Sequence, residues 1–182
     1  MKFTPLPLPG AWLIEAEPIC DERGFFSRII CREEFLAREL DPNLQQASMS
    51  QNKLRGTLRG MHLQVAPHGE TKLVRVTAGS IHDVIIDLRL ESETYLQHFS
   101  VVLTSANPAV LYIPEGFAHG FQTLEDGVEV YYHMNRAFHA PAARGFLWSD
   151  PHFGITWPIA DPILSPKDAV APLFDPLLLA AI

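Results

Sequence analysis

The chain has 182 residues, of which 47% are hydrophobic and 19% charged, and a formal net charge of −7. A chain of this length suits one domain and can bury roughly 70% of its unfolded surface, so it needs neither disulfides nor a metal for stability. The acidic balance excludes general affinity for nucleic acid or an anionic membrane surface, which wants a basic excess, but allows a local cationic pocket for a small anion.

Along the chain, MKFTPLPLPG opens with prolines that break any apolar run, so no secretory leader is expected. No later run is long enough for a membrane span. Cys20 and Cys31 form no CxxC pair and read as reduced thiols of a cytoplasmic protein. Fifteen prolines and eleven glycines punctuate short β-rich runs. Strands are expected over 12–15, 25–31, 57–64, 71–77, 81–88, 98–103, 110–113, 119–123 and 128–133. Helices are expected over 33–40 and 165–169, the second with a serine cap and proline at its first position. Short strands at this spacing predict an all-β sandwich or closed barrel. The chain is read as one domain over 1–182, with a core of about 10–140 and a proline-rich wrap over about 141–182. Trp148, Phe153, Ile155 and Trp157 are too apolar to leave in water, so the wrap should pack on the barrel. The last residues, PLLLAAI, are expected to seal an edge or an interface.

Some strands carry residues that a plain core does not need. In IHDVIIDL, alternation puts Asp83 and Asp87 on one face with Ile81 and Ile85. Either that face meets solvent, or a polar group inside the barrel meets the aspartates. In GTLRGMHLQ, strict alternation separates Arg59 from His62 and Gln64. The three share one pocket only if a bulge at Gly60 breaks the register; otherwise His62 and Arg59 serve unrelated surroundings. Lys72 falls on an apolar face with Val74 and Val76, so it snorkels out or points into a polar cavity. YIPEGFAHGF has a tight turn before His119 and resembles the second motif of cupins. VEVYYHM places Tyr132 beside Val130 and Met134.

In order, DERGFFSR, GTLRGMHLQ, KLVRV, IHDVIIDLR, ESETY, YIPEGFAHGFQTL, EVYYHM, RGFLWSDPHFGITWP and LSPKD resemble the dTDP-4-dehydrorhamnose 3,5-epimerase family, also called dTDP-6-deoxy-xylo-4-hexulose 3,5-epimerases. The resemblance runs from about residue 10 to residue 175. It implies a cupin-type jelly-roll barrel with a few short helices, usually a homodimer. The implied reaction inverts C3, C5 or both of a dTDP-linked 4-keto-6-deoxyhexose through an enolate, with no cofactor and no metal. It implies His62 as base, paired with Asp168, a pairing expected to hold the imidazole tautomer and favour its protonated form. It implies Tyr132 as acid on the opposite side of the sugar and Lys72 near the enolate oxygen. Arg59 and Arg23 match phosphate contacts, Gln46 and His119 lie near the ligand, Gln64 shapes the pocket, and Asp83 supports His62. The RGFF strand of such proteins tends to cross into the partner subunit, so Arg23 and Phe26 are expected to serve the neighbour's site. Ser48, Leu63, Ala137, Phe138 and Ala140 depart from residues frequent in relatives. Phe138 keeps an aromatic face for a base but lacks a hydroxyl, which leaves the nucleotide, and the choice between C3 and both carbons, open. Two other readings are a metal-dependent cupin using His62 and His119, and a non-catalytic sugar-nucleotide binder. The former usually shows a His-x-His pair, whereas Gln64 stands two residues after His62.

Overall fold

The computed structural model describes residues 1–179. In chain order its elements are β1 (Lys2–Pro5), β2 (Trp12–Glu15), β3 (Ile19–Asp21), β4 (Gly24–Phe26), α1 (Arg32–Leu36), β5 (Gln46–Asn52), β6 (Leu58–Gln64), β7 (Lys72–Ala78), β8 (Ser80–Asp87), β9 (His98–Thr104), β10 (Ala109–Ile113), β11 (Phe117–Thr123), β12 (Val128–Met134), β13 (Ala143–Gly145) and α2 (Pro166–Ala169). One sheet runs β1-β2-β10-β7-β12-β5, the other β13-β6-β11-β8-β9, and β3-β4 is a separate hairpin. The pairings within these sheets are antiparallel.

Between the two large sheets lies a core of Val74 and Val76 from β7, Leu111 and Ile113 from β10 and Val130 from β12. It meets Ile81 and Ile85 from β8, Leu103 from β9 and Phe117 and Phe121 from β11. Each such side chain contributes roughly 1.5–3 kcal/mol by leaving water. The alternate residues of β8 are buried as well: Val84 and Ile86, with Leu88 just after the strand, join Met61, Leu63, Phe146 and Phe153 in a second cluster, with Ile155, Trp157 and Phe174 packed against it. The aromatic residues after β13 are therefore the cover for the outer face of the second sheet. Backbone and side-chain bonds pin this segment: Gln122 exchanges two hydrogen bonds with the backbone of Ile159, and Leu58 N–H donates to the Ile163 carbonyl.

The aspartates of β8 are fully buried, so the solvent-facing alternative fails. Asp83 meets His119. Asp87 accepts from Arg89, Ser92 and Thr94. Burial opposes its charge, but these donors outweigh burial and hold its carboxyl at about 2.

Some expected boundaries differ. Strand pairing expected over 25–31 stops at Phe26. The helix expected over 33–40 gives way after Leu36 to a tight reversal, with Glu39 at φ 59° and Leu40 N–H bonded back to the Phe35 carbonyl. Strands β1, β3, β5 and β13 carry no apolar periodicity. The polar β5 is a strand because β12 pairs with it along its whole length. Residues 176–179 of the terminal PLLLAAI form one 3-10 turn, with Leu179 against the second cluster and Leu177 exposed. Residues 180–182 lie outside the described residues, and so does that part of the expected seal.

The bulge falls where the sequence expects it. His119 of β11 opposes His62 and Phe121 opposes Arg59, so Gly60 and Met61 together oppose only Gly120. Gly60 has φ 130°, and a Cβ there would stand 2.6 Å from the Gly120 Cα. Only glycine fits such a crossing. Gly60→Ala is therefore expected to lower the unfolding free energy by about 2–4 kcal/mol in a urea titration; an unchanged midpoint would mean that the crossing relaxes freely.

Candidate active site

Because of the bulge, Arg59 and His62 line the same cavity, of about 550 Å³, from the second sheet. Lys72 of β7 and Tyr132 of β12 line it from the first sheet, so His62 and Tyr132 belong to facing walls. His119 lines the same space, beside His62 in the β6–β11 register. Tyr132 also packs against the central core, which makes the cavity a polar extension of the space between the sheets.

Asp168 reaches the cavity by a local device. The Ser165 hydroxyl oxygen accepts from the Asp168 N–H at 3.1 Å, and Pro166 opens the helix. This cap fixes the backbone of a short helix at the cavity mouth. The buried Asp168 carboxylate then lies 2.7 Å from His62 Nε2, across 106 residues of sequence. With the Nε2–H donating to the carboxylate, Nδ1 is the nitrogen left as proton acceptor.

The pairing does favour the protonated imidazole, as expected, but other effects outweigh it. Burial pushes the His62 pKa down, Asp168 opposes that shift, and the positive charges of Lys72 and Lys167 add to it; the net direction is below the ordinary value of 6.5. The net shift therefore favours the neutral imidazole.

The other expected residues divide. Arg59 Nε donates to Asn52 Oδ1 at 2.8 Å, which holds the guanidinium at the cavity wall. Gln64 is buried; its amide donates to the His68 carbonyl and its oxygen accepts from the His139 N–H. Gln46 accepts from the Phe138 N–H at 2.9 Å. Gln64 and Gln46 therefore clamp the loop that presents Phe138 at the cavity edge. Asp83 does not support His62 as expected. Both of its oxygens face His119 Nε2, at 3.0 and 2.9 Å, because the β8–β11 register sets Asp83 diagonally beside His119. Arg23 and Phe26 sit on the separate β3–β4 hairpin, away from this cavity. Arg23 pairs with Asp21 and Phe26 is 73% exposed.

Sequence reasoning missed Glu70, Asn52, Ser50 and Lys167, and read Ser165 only as a helix cap. Two of them were within reach. Glu70 precedes Lys72 by two on an extended segment, and Lys167 adjoins Asp168. Asn52 and Ser50 lie on the strand that carries no apolar signal. Among the described residues, no group of three or more His, Cys, Asp or Glu side chains converges to hold a metal ion.

The family model for dTDP-4-dehydrorhamnose 3,5-epimerase matches residues 5–176. The chain belongs to that family. It is 38% identical over 171 residues to the dTDP-4-dehydrorhamnose 3,5-epimerase of Shigella flexneri, with 92% of this chain and 93% of that one covered. The Bacillus anthracis dTDP-4-dehydrorhamnose 3,5-epimerase, solved with TDP and PPi bound, superposes with a TM-score of 0.92 at 36% identity, covering 95% of this chain and 99% of that one. The Legionella pneumophila dTDP-6-deoxy-D-glucose-3,5-epimerase, solved with dTDP-4-keto-L-rhamnose, gives a TM-score of 0.91 at 32% identity, covering 100% and 98%. The fold is accordingly the cupin-type jelly roll, and the chain is a carbohydrate epimerase.

An NMR titration of the His62 imidazole should give a midpoint below 6.5. Asp168→Asn removes the group that raises it, so the midpoint should fall further. A midpoint that rises in the variant would overturn this balance of burial against charge.

Proposed function

We propose that the cavity inverts C3, C5 or both in a dTDP-4-keto-6-deoxyhexose by removing a proton and returning one from the opposite face. The 4-keto group acidifies the hydrogens on both neighbouring carbons. Neutral His62, oriented by Asp168, accepts one of them and leaves an enolate. Tyr132, on the facing wall, delivers a proton to the other side. The observation that carries this reading is the facing of an imidazole and a phenol across one cavity, from opposite sheets.

The remaining residues fit the same substrate. Lys72 supplies a donor for the oxygen on which the enolate charge develops, where a fixed donor lowers the barrier most. Arg59 offers a guanidinium fork to the diphosphate. His119, held by Asp83 through Nε2, offers its other ring nitrogen as a further polar contact near the sugar. Phe138 offers an aromatic face to the nucleotide base. The Arg59 and Lys72 charges would repel a divalent cation placed between His62 and His119, which counts against the metal-dependent alternative.

We infer a homodimer in the cytoplasm. Ile19, Phe25 and Phe26 of the β3–β4 hairpin are 73%, 59% and 73% exposed. An apolar hairpin left in water favours burial against a second copy, and Arg23 at its turn would then serve the partner's diphosphate. Cys20 and Cys31 are both free, as a reducing compartment keeps them.

In heavy water, a dTDP-4-keto-6-deoxyhexose should take up deuterium at C3, with or without C5. His62→Ala should slow uptake about 10²–10⁴-fold while dTDP still binds. Tyr132→Phe should keep more exchange than inversion. Absence of uptake with every such sugar would sink the epimerase reading, and full turnover by His62→Ala would leave binding alone. Mixing inactive Arg23→Ala and His62→Ala dimers, with subunit exchange followed by mass, should restore about a quarter of the parent activity, because half of the dimers then carry one intact site. Exchange of subunits without any recovery would rule out a shared site.

A further inference from the structure

Two carboxylates line the cavity. Asp168 is engaged by His62. The other, Glu70, has no part in the chemistry described so far. It lies immediately before β7, two residues from Lys72, and on an extended segment such residues point to the same side. Their side chains meet: Glu70 Oε1 is 2.7 Å from Lys72 Nζ, and both side chains are about nine-tenths buried. This is a buried ion pair on the cavity wall.

The segment that carries the pair is held on every side. Thr71, between them, donates its N–H to Asn135 Oδ1 at 2.8 Å, and its carbonyl accepts from the Asn135 N–H. Asn135 is in turn bound to Asp41. Lys72 itself is in register between Ile113 of β10 and Met134 of β12. Gly69, one residue before Glu70, packs closely against the Glu115 side chain.

We infer that Glu70 is a positioning residue: it fixes the Lys72 ammonium toward the 4-keto oxygen and withholds it from the diphosphate. The inference rests on the role given to Lys72 under the proposed function. An ammonium on a flexible four-carbon stem is drawn to the nearest dense negative charge. In a cavity that takes a diphosphate, an unrestrained lysine would move there and strengthen ground-state binding alone. Such binding does nothing for the chemical step. Held by Glu70, Lys72 keeps N–H donors aimed into the cavity, while the adjacent carboxylate offsets its net charge. It then acts as a directed donor, strongest toward an oxygen that gains charge only as the proton leaves.

The test uses the full-length protein, deuterium uptake from heavy water into a dTDP-4-keto-6-deoxyhexose, and the Kd of dTDP, which lacks the sugar. Glu70→Ala should slow uptake about tenfold or more, while dTDP binds equally or more tightly. Glu70→Gln keeps an oxygen acceptor for the ammonium and should recover part of that loss; it also stands in if the alanine variant unfolds early. Lys72→Met should be slow, and Glu70→Ala combined with Lys72→Met should be no slower than Lys72→Met alone. Parent-like uptake by Glu70→Ala beside a slow Lys72→Met overturns the inference and spares the role of Lys72. Losses that multiply in the double variant overturn it too, since Glu70 would then act apart from Lys72. Parent-like uptake by Lys72→Met removes the role of Lys72 itself, and the inference falls with it.

Discussion

The close crossing of β6 over β11 at Gly60 and Gly120 governs what the rest of the molecule can do. Two residues are set against one there, and the strand face changes between Arg59 and His62. Without that change, one of the two would point into the outer cluster beneath the C-terminal segment, among Met61 and Phe146. With it, a guanidinium and an imidazole three residues apart line one cavity. A glycine at φ 130° makes the crossing possible, and the antiparallel register on both flanks keeps it in place.

The site's electrostatics run against the chain's overall balance. The protein is acidic, with a formal net charge of −7, yet Arg59, Lys72 and Lys167 gather at the cavity. Two of these cations, Lys72 and Lys167, also help to keep His62 neutral. Four polar groups at the wall are each restrained by a partner. Asn52 holds Arg59, Asp168 holds His62, Asp83 holds His119, and Glu70 holds Lys72. A preformed array of this kind limits reorganisation when charge appears on a substrate.

The segment after β13 serves packing and chemistry together. Its aromatic side chains bury the outer face of β8 and of β6, a face that is apolar and would otherwise meet water. In covering that face the chain returns to the cavity mouth, where the Ser165 cap delivers Asp168. His62 and its carboxylate partner thus come from segments 106 residues apart in sequence. Their alignment depends on the same apolar contacts that stabilise the sheet.

Local pattern was enough to read most of the strands, the Ser165–Pro166 helix start and the bulge at Gly60, because alternation, capping and glycine's freedom are properties of neighbouring residues. His62, Tyr132, Lys72, Arg59 and Asp168 could be singled out because polar groups on apolar strands, and the ordered motifs around them, stand out in one dimension. Strand β5 could not be read that way. Its polar residues become a strand only by pairing with β12, and Asn52 reaches Arg59 only once that pairing exists. Likewise, alternation put Asp83 on one face with Ile81 and Ile85 but left open whether that face met solvent, and only the folded sheets decided that it is buried and meets His119 and not His62. The protonation of His62 was beyond the sequence for the same reason. It is a balance of burial against the charges of Asp168, Lys72 and Lys167, which adjoin His62 only when both sheets and the C-terminal segment have closed around it.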